Sequence, residues 1–132
     1  MKMRLLQLVL ISFCANAHAG QSDFVAAANQ FLSVELPKME AAVALKDHSY
    51  FVSGLERVKI FVNDHWADLD KSQSCTEAVS DFLIVGQCRI SPPGSLCEPE
   101  TFFPKFDDNL TKCRAAAGAN QAFQPTPSAR LN

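Results

Sequence analysis

The sequence predicts an all-α protein, a small antiparallel bundle of about four helices whose last helical hairpin is cross-linked by two nested disulfides. Three observations lead there. Apolar residues recur at helical intervals in successive segments, and no run alternates with period two for long, as a half-buried strand would. Four cysteines, Cys75, Cys88, Cys97 and Cys113, fall at intervals that suit bridges between neighbouring helices. Short antiparallel helices joined by short turns bury their stripes against one another as a bundle.

The first segment, residues 1–19, reads as a signal peptide. Lys2 and Arg4 precede the apolar run from Leu5 to Ala15, which ends in the small-residue pattern Ala17-His18-Ala19. That run is shorter than the roughly 20 apolar residues needed to span a bilayer, so stable membrane insertion is not expected. Ile11-Ser12-Phe13-Cys14 offers the alternative of lipidation at Cys14, which Phe13 opposes because the position calls for a small residue. Cleavage after Ala19 leaves 113 of the 132 residues, enough for one domain, assigned to residues 20–117.

Helix one is expected from Ser22 to Asp47, with Val25, Leu32, Leu36, Met39 and Val43 on a single stripe. Pro37 removes a backbone donor there, so a kink or break is expected near Leu36. Asp47 caps the second helix, whose stripe is read as Phe51, Leu55, Val58, Val62 and Trp66. Residues 68–74 are polar and read as a connection. Ser74-Cys75-Thr76-Glu77 then spells a capping box for helix three, whose Val79, Phe82, Leu83, Ile84 and Val85 cover more than one face. Such a helix belongs in the centre. Ser91-Pro92-Pro93-Gly94 forces a turn. Phe102, Phe106, Leu110, Cys113 and Ala117 form the fourth stripe, with its regular part starting near Thr101 because of Pro104 and a stop at Gly118. Residues 118–132, with Pro125 and Pro127 among small polar residues, read as a disordered tail.

Helical geometry selects the cysteine pairing. Cys75 and Cys88 lie on one helix, roughly 19 Å apart along its axis, whereas bridged Cα atoms are about 4.4–6.8 Å apart. They cannot bond each other. An antiparallel helix four brings Cys88 to Cys97 and Cys75 to Cys113, and four cysteines remaining after loss of Cys14 imply an oxidising compartment. This stapling resembles that of the small twin-cysteine helical hairpin proteins, although the intervals of twelve and fifteen intervening residues depart from that pattern. The resemblance implies a shared staple and no function.

Composition excludes several classes of partner. Loss of Lys2 and Arg4 leaves ten Lys plus Arg against fourteen Asp plus Glu, a net charge of −4. An acidic surface repels nucleic acid and anionic lipid headgroups alike. No Cys-x-x-Cys, Glu-x-x-His, Gly-x-Ser-x-Gly or Ser-x-x-Lys occurs, so neither a cofactor nor a catalytic role is expected. Asp64, His65 and Asp68 are the nearest approach to a metal set, and a histidine at a helix C-terminus is explained by the helix dipole.

Phenylalanine is in excess, with ten residues. Phe102 and Phe103 point about 100° apart on a helix, so one of them is left for solvent or a groove. Phe102, Phe103, Phe106 and Trp66 are therefore the candidate partner-binding residues, with core packing as the competing role, and for Trp66 that role is a core anchor. The expected function is that of an exported, periplasmic, non-enzymatic protein that binds another protein, as an inhibitor or immunity-type factor or as a stress chaperone. The alternative is a bundle carrying a small apolar ligand or a metal between its helices.

Overall fold

The computed structural model describes residues 16–95 and 97–122, and the signal-peptide reading of residues 1–19 falls mostly outside them. Among the described residues four α-helices run in alternating directions: α1 (Asn16–Leu45), α2 (His48–Asp64), α3 (Gln73–Ile90) and α4 (Pro99–Ala122), with a 3-10 helix, Trp66–Lys71, between α2 and α3. Helices α1, α3 and α4 pack as a three-helix unit. Helix α2 lies against α1 and α3 on the other side, and among the described residues it does not touch α4.

The first stripe forms as its spacing requires, with Val25, Leu32 and Met39 buried, Leu36 and Val43 packed at its edge, and Phe24 and Ala28 added to the same face. Pro37 does not break the helix: α1 runs through it for 30 residues. A proline removes one intrahelical bond, and here buried residues on both sides, Leu32 and Met39, fix the helix to its neighbours. The helix ends without a glycine. Lys46 adopts the left-handed conformation, with a φ of 54°, and the amides of Lys46 and Asp47 bond back to the carbonyls of Val43 and Ala42, a Schellman closure. Asp47 then caps α2, its carboxylate accepting the Ser49 amide at 3.0 Å.

On α2 the buried stripe is Phe51, Gly54 and Phe61, with Val58 packed at its edge, so the expected register through Leu55 and Trp66 is corrected. The polar connection is also more regular than expected, being largely the 3-10 helix, which the Thr76 hydroxyl ties down by donating to the Leu69 carbonyl at 2.6 Å. The capping box at Ser74 does not form. Helix α3 begins at Gln73 after Ser72, and the Glu77 carboxylate turns instead to Gln73, Asn109 and Lys105.

Helix α3 occupies the centre, burying Cys75, Ala78, Val79, Phe82, Leu83, Val85 and Gly86. Gly86 lets α1 and α2 press onto α3: a Cβ there would stand 2.6 Å from Met39 Cγ and 2.7 Å from Phe51 Cε1. Gly86→Ala should therefore overpack this junction and cost about 1–3 kcal/mol of stability, read as a fall in the denaturant midpoint. An unchanged midpoint would mean that the α1–α2–α3 junction is looser than described.

After α3, Pro92 to Ser95 form a turn in which the Ser95 amide bonds the Pro92 carbonyl at 3.2 Å and Gly94 takes a φ of 84°. Proline then glycine at its centre is what such a turn requires. Helix α4 starts at Pro99, a first-turn position that needs no amide donor, and continues through Pro104. It also passes the expected stop at Gly118 to reach Ala122, and residues 123–132 of the expected tail lie outside the described residues. Both disulfides form in the nested order. Cys75 and Cys113, fully buried, have Cα atoms 4.7 Å apart, and Cys88 and Cys97 at the other end are 5.6 Å apart.

Candidate functional site

Two surfaces and one buried ion-pair network stand out once the bundle is assembled. The outer face of α2, together with Trp66 of the 3-10 helix that follows, is the first surface. Val52 and Trp66 are each 74% exposed, Leu55 is 51% and Ile60 is 59%. Trp66 owes its exposure to how α2 ends: His65 leaves helical geometry while its amide still bonds Phe61, and its ring turns inward against Phe61 at 4.5 Å and Phe24 at 5.9 Å. The next side chain is thereby thrown outward. Trp66 is thus not the core anchor that helical spacing suggested, and it keeps its place as a candidate contact residue.

The three phenylalanines of α4 separate. Phe106 is buried in the core and cannot be a free contact residue. Phe103, half-buried, packs against the core and forms a wall of the second surface, while Phe102 is half-buried beside it. That second surface is a groove of about 700 Å³ between α1, α3 and α4, floored by Leu32, Leu36, Met39, Val85, Phe106 and Leu110. Arg89 and Arg114 stand at its edge with Glu40 and Asp107. Arg89 is already engaged, at 2.6 Å from Glu40.

The network is centred on Glu35, the one buried charged residue among the described residues, whose side chain is 4% exposed. Its carboxylate accepts from Arg57 at 2.8 Å, the Tyr50 hydroxyl at 2.9 Å and Lys38 at 3.3 Å. The Arg57 guanidinium also lies over the Tyr50 ring at 5.1 Å. Burial pushes the Glu35 carboxyl up, but the bonds from Arg57 and Tyr50 and the charge of Arg57 outweigh it and hold the group below its ordinary value. Tyr50 moves the other way, up to about 12, through burial and the adjacent carboxylate. The network joins α1 to α2 and leaves neither acid nor phenol poised to titrate near neutrality, which marks it as a structural clasp. A signal for it was present in the sequence, since Glu35 falls on the inward stripe between Leu32 and Met39.

Among the described residues no three His, Cys, Asp or Glu side chains lie close enough to hold an ion, and Asp68 is paired with Lys71. No described helix is long and apolar enough to cross a membrane. The two intramolecular disulfides mark a protein of an oxidising compartment. Comparison with protein-family models, with curated proteins and with solved structures finds no match to this chain.

Proposed function

We propose that this protein is exported to the periplasm and acts there without catalysis, by binding another protein through the outer face of α2 and Trp66. The observation that carries this reading is the exposure of Val52, Leu55 and Ile60 on α2 and of Trp66 on the 3-10 helix that follows it, two elements that do not touch α4 among the described residues. Tryptophan dominates the energetics of many interfaces, and Trp66 is the largest of these side chains. The body behind them is stiff. Nested disulfides and the Glu35–Arg57–Tyr50 clasp hold α1 to α4 in place, so little conformational entropy is lost on association.

An inhibitor or immunity-type factor suits this surface better than a stress chaperone. The apolar residues are already exposed in the folded bundle, so acid is not needed to unmask them. Immobilised oxidised protein should retain a stoichiometric protein partner from periplasmic extract at physiological salt. Trp66→Ala should weaken that association at least about 30-fold while changing stability by less than about 0.5 kcal/mol, because the indole is mostly in water. Recovery of no partner, or equal recovery by wild type and Trp66→Ala, would refute the reading.

A further inference from the structure

The groove on the side of the bundle away from α2 has the size of a small-molecule site, about 700 Å³ against the roughly 300–1,000 Å³ usual for such clefts. We infer that it binds one medium-chain carboxylate, the acyl chain lying on the apolar floor and the carboxylate taken by Arg114. This site is independent of the α2 face, since α2 and α4 do not touch among the described residues.

Charge along the edge of the groove selects the ligand. Arg89 is neutralised by Glu40 at 2.6 Å, whereas among the described residues no acidic side chain pairs with Arg114. Asp107 stands two turns before Arg114 on α4, about 10 Å along the axis. A second anion is unwelcome beside that carboxylate, so the head group is directed to the Arg114 end, and the chain runs back past Leu110 and Phe106 toward Phe103. A guanidinium presents two parallel donors that match a carboxylate, and its own aliphatic stem extends the apolar wall. A cationic head group would have to sit at Asp107, midway along the groove, and would leave half of the floor uncovered.

Calorimetric titration of the disulfide-bonded protein with dodecanoate, dodecanol and dodecylamine, each below its micellar concentration, tests the inference. Dodecanoate should bind one per chain and about tenfold more tightly than dodecanol or dodecylamine. Arg114→Ala should bring dodecanoate down to the level of dodecanol, and Arg114→Lys should keep part of the advantage, with circular dichroism unchanged in both. Methyl resonances of Leu36, Val85 and Leu110 should shift on addition of dodecanoate to the wild type, a readout that needs no variant. Absence of binding, equal affinity for the three ligands, or shifts confined to residues outside the groove would overturn it.

Discussion

Replacing Cys75 and Cys113 together with alanine is expected to lower the unfolding free energy by about 4 kcal/mol, against about 2.5 kcal/mol for the Cys88–Cys97 pair. The difference follows from loop length. The first bridge closes 38 residues and the second only 9, and a longer loop loses more freedom in the unfolded chain when it is closed. The first bridge is also fully buried, and the Asn29 side-chain amide donates to Cys113 Sγ at 3.3 Å, so loss of the sulfur disturbs the α1–α4 contact as well. Denaturant titrations of the two double variants under identical conditions would measure both values. Equal losses, or a larger loss at Cys88–Cys97, would mean that stability is concentrated at the turn end of the hairpin.

The second large effect is expected at the buried clasp. Arg57→Ala should cost about 3 kcal/mol at neutral pH, more than Glu35→Gln at about 1–2 kcal/mol, because the two partners differ in burial. Glu35 is 4% exposed and would be left as a carboxylate with only Tyr50 and Lys38 beside it, whereas Arg57, 33% exposed, can reach water when the acid is gone. The pH dependence separates the variants further. In the wild type the Glu35 carboxyl lies below its ordinary value of 4.5, so its contribution is present above that pH and is lost as pH falls through the folded value. In Arg57→Ala the carboxyl loses both the bond and the charge of Arg57, so it titrates higher than in the wild type. As pH falls below 4.5 the wild type therefore loses more stability than the variant, and the gap between them narrows. Stability curves of wild type and variant that stay parallel from pH 7 to pH 3 would rule out the clasp.

Much of the fold is legible in the chain, and particular residues show why the remainder is not. The stripe through Val25, Leu32 and Met39 is readable because hydrophobic burial imposes a 3.6-residue period. The cysteine pairing is readable because helical rise keeps Cys75 from Cys88 and an antiparallel return brings Cys113 and Cys97 to them. The register of α2 is not. Phe61 and Val62 are adjacent, so apolar counting supports either face. The choice is made by Gly54, where a Cβ would stand 2.8 Å from Leu83 Cδ2, and a glycine that matters by having no side chain leaves no mark on a hydrophobic pattern.

That one register decides the candidate site. With Phe51, Gly54 and Phe61 inward, Leu55 is outward, and after the helix ends at His65 a residue expected to anchor the core becomes an exposed aromatic on the surface. The prolines mislead for a related reason. Pro37 and Pro104 each remove one backbone bond, yet both helices continue because packing, and for α4 the disulfides at Cys97 and Cys113, hold the segments on either side. The groove is hidden from sequence altogether, since it arises where three stripes fail to fill the space between them.

The central claim is that sulfur bridges clamp α3 to α4 and make the bundle a rigid recognition body. Non-reducing peptide mapping of the protein recovered from its oxidising compartment tests this most directly. Linked peptides joining Cys75 to Cys113 and Cys88 to Cys97, with no free thiol at these positions, are the predicted result; free sulfurs, or peptides joined in any other order, would contradict it.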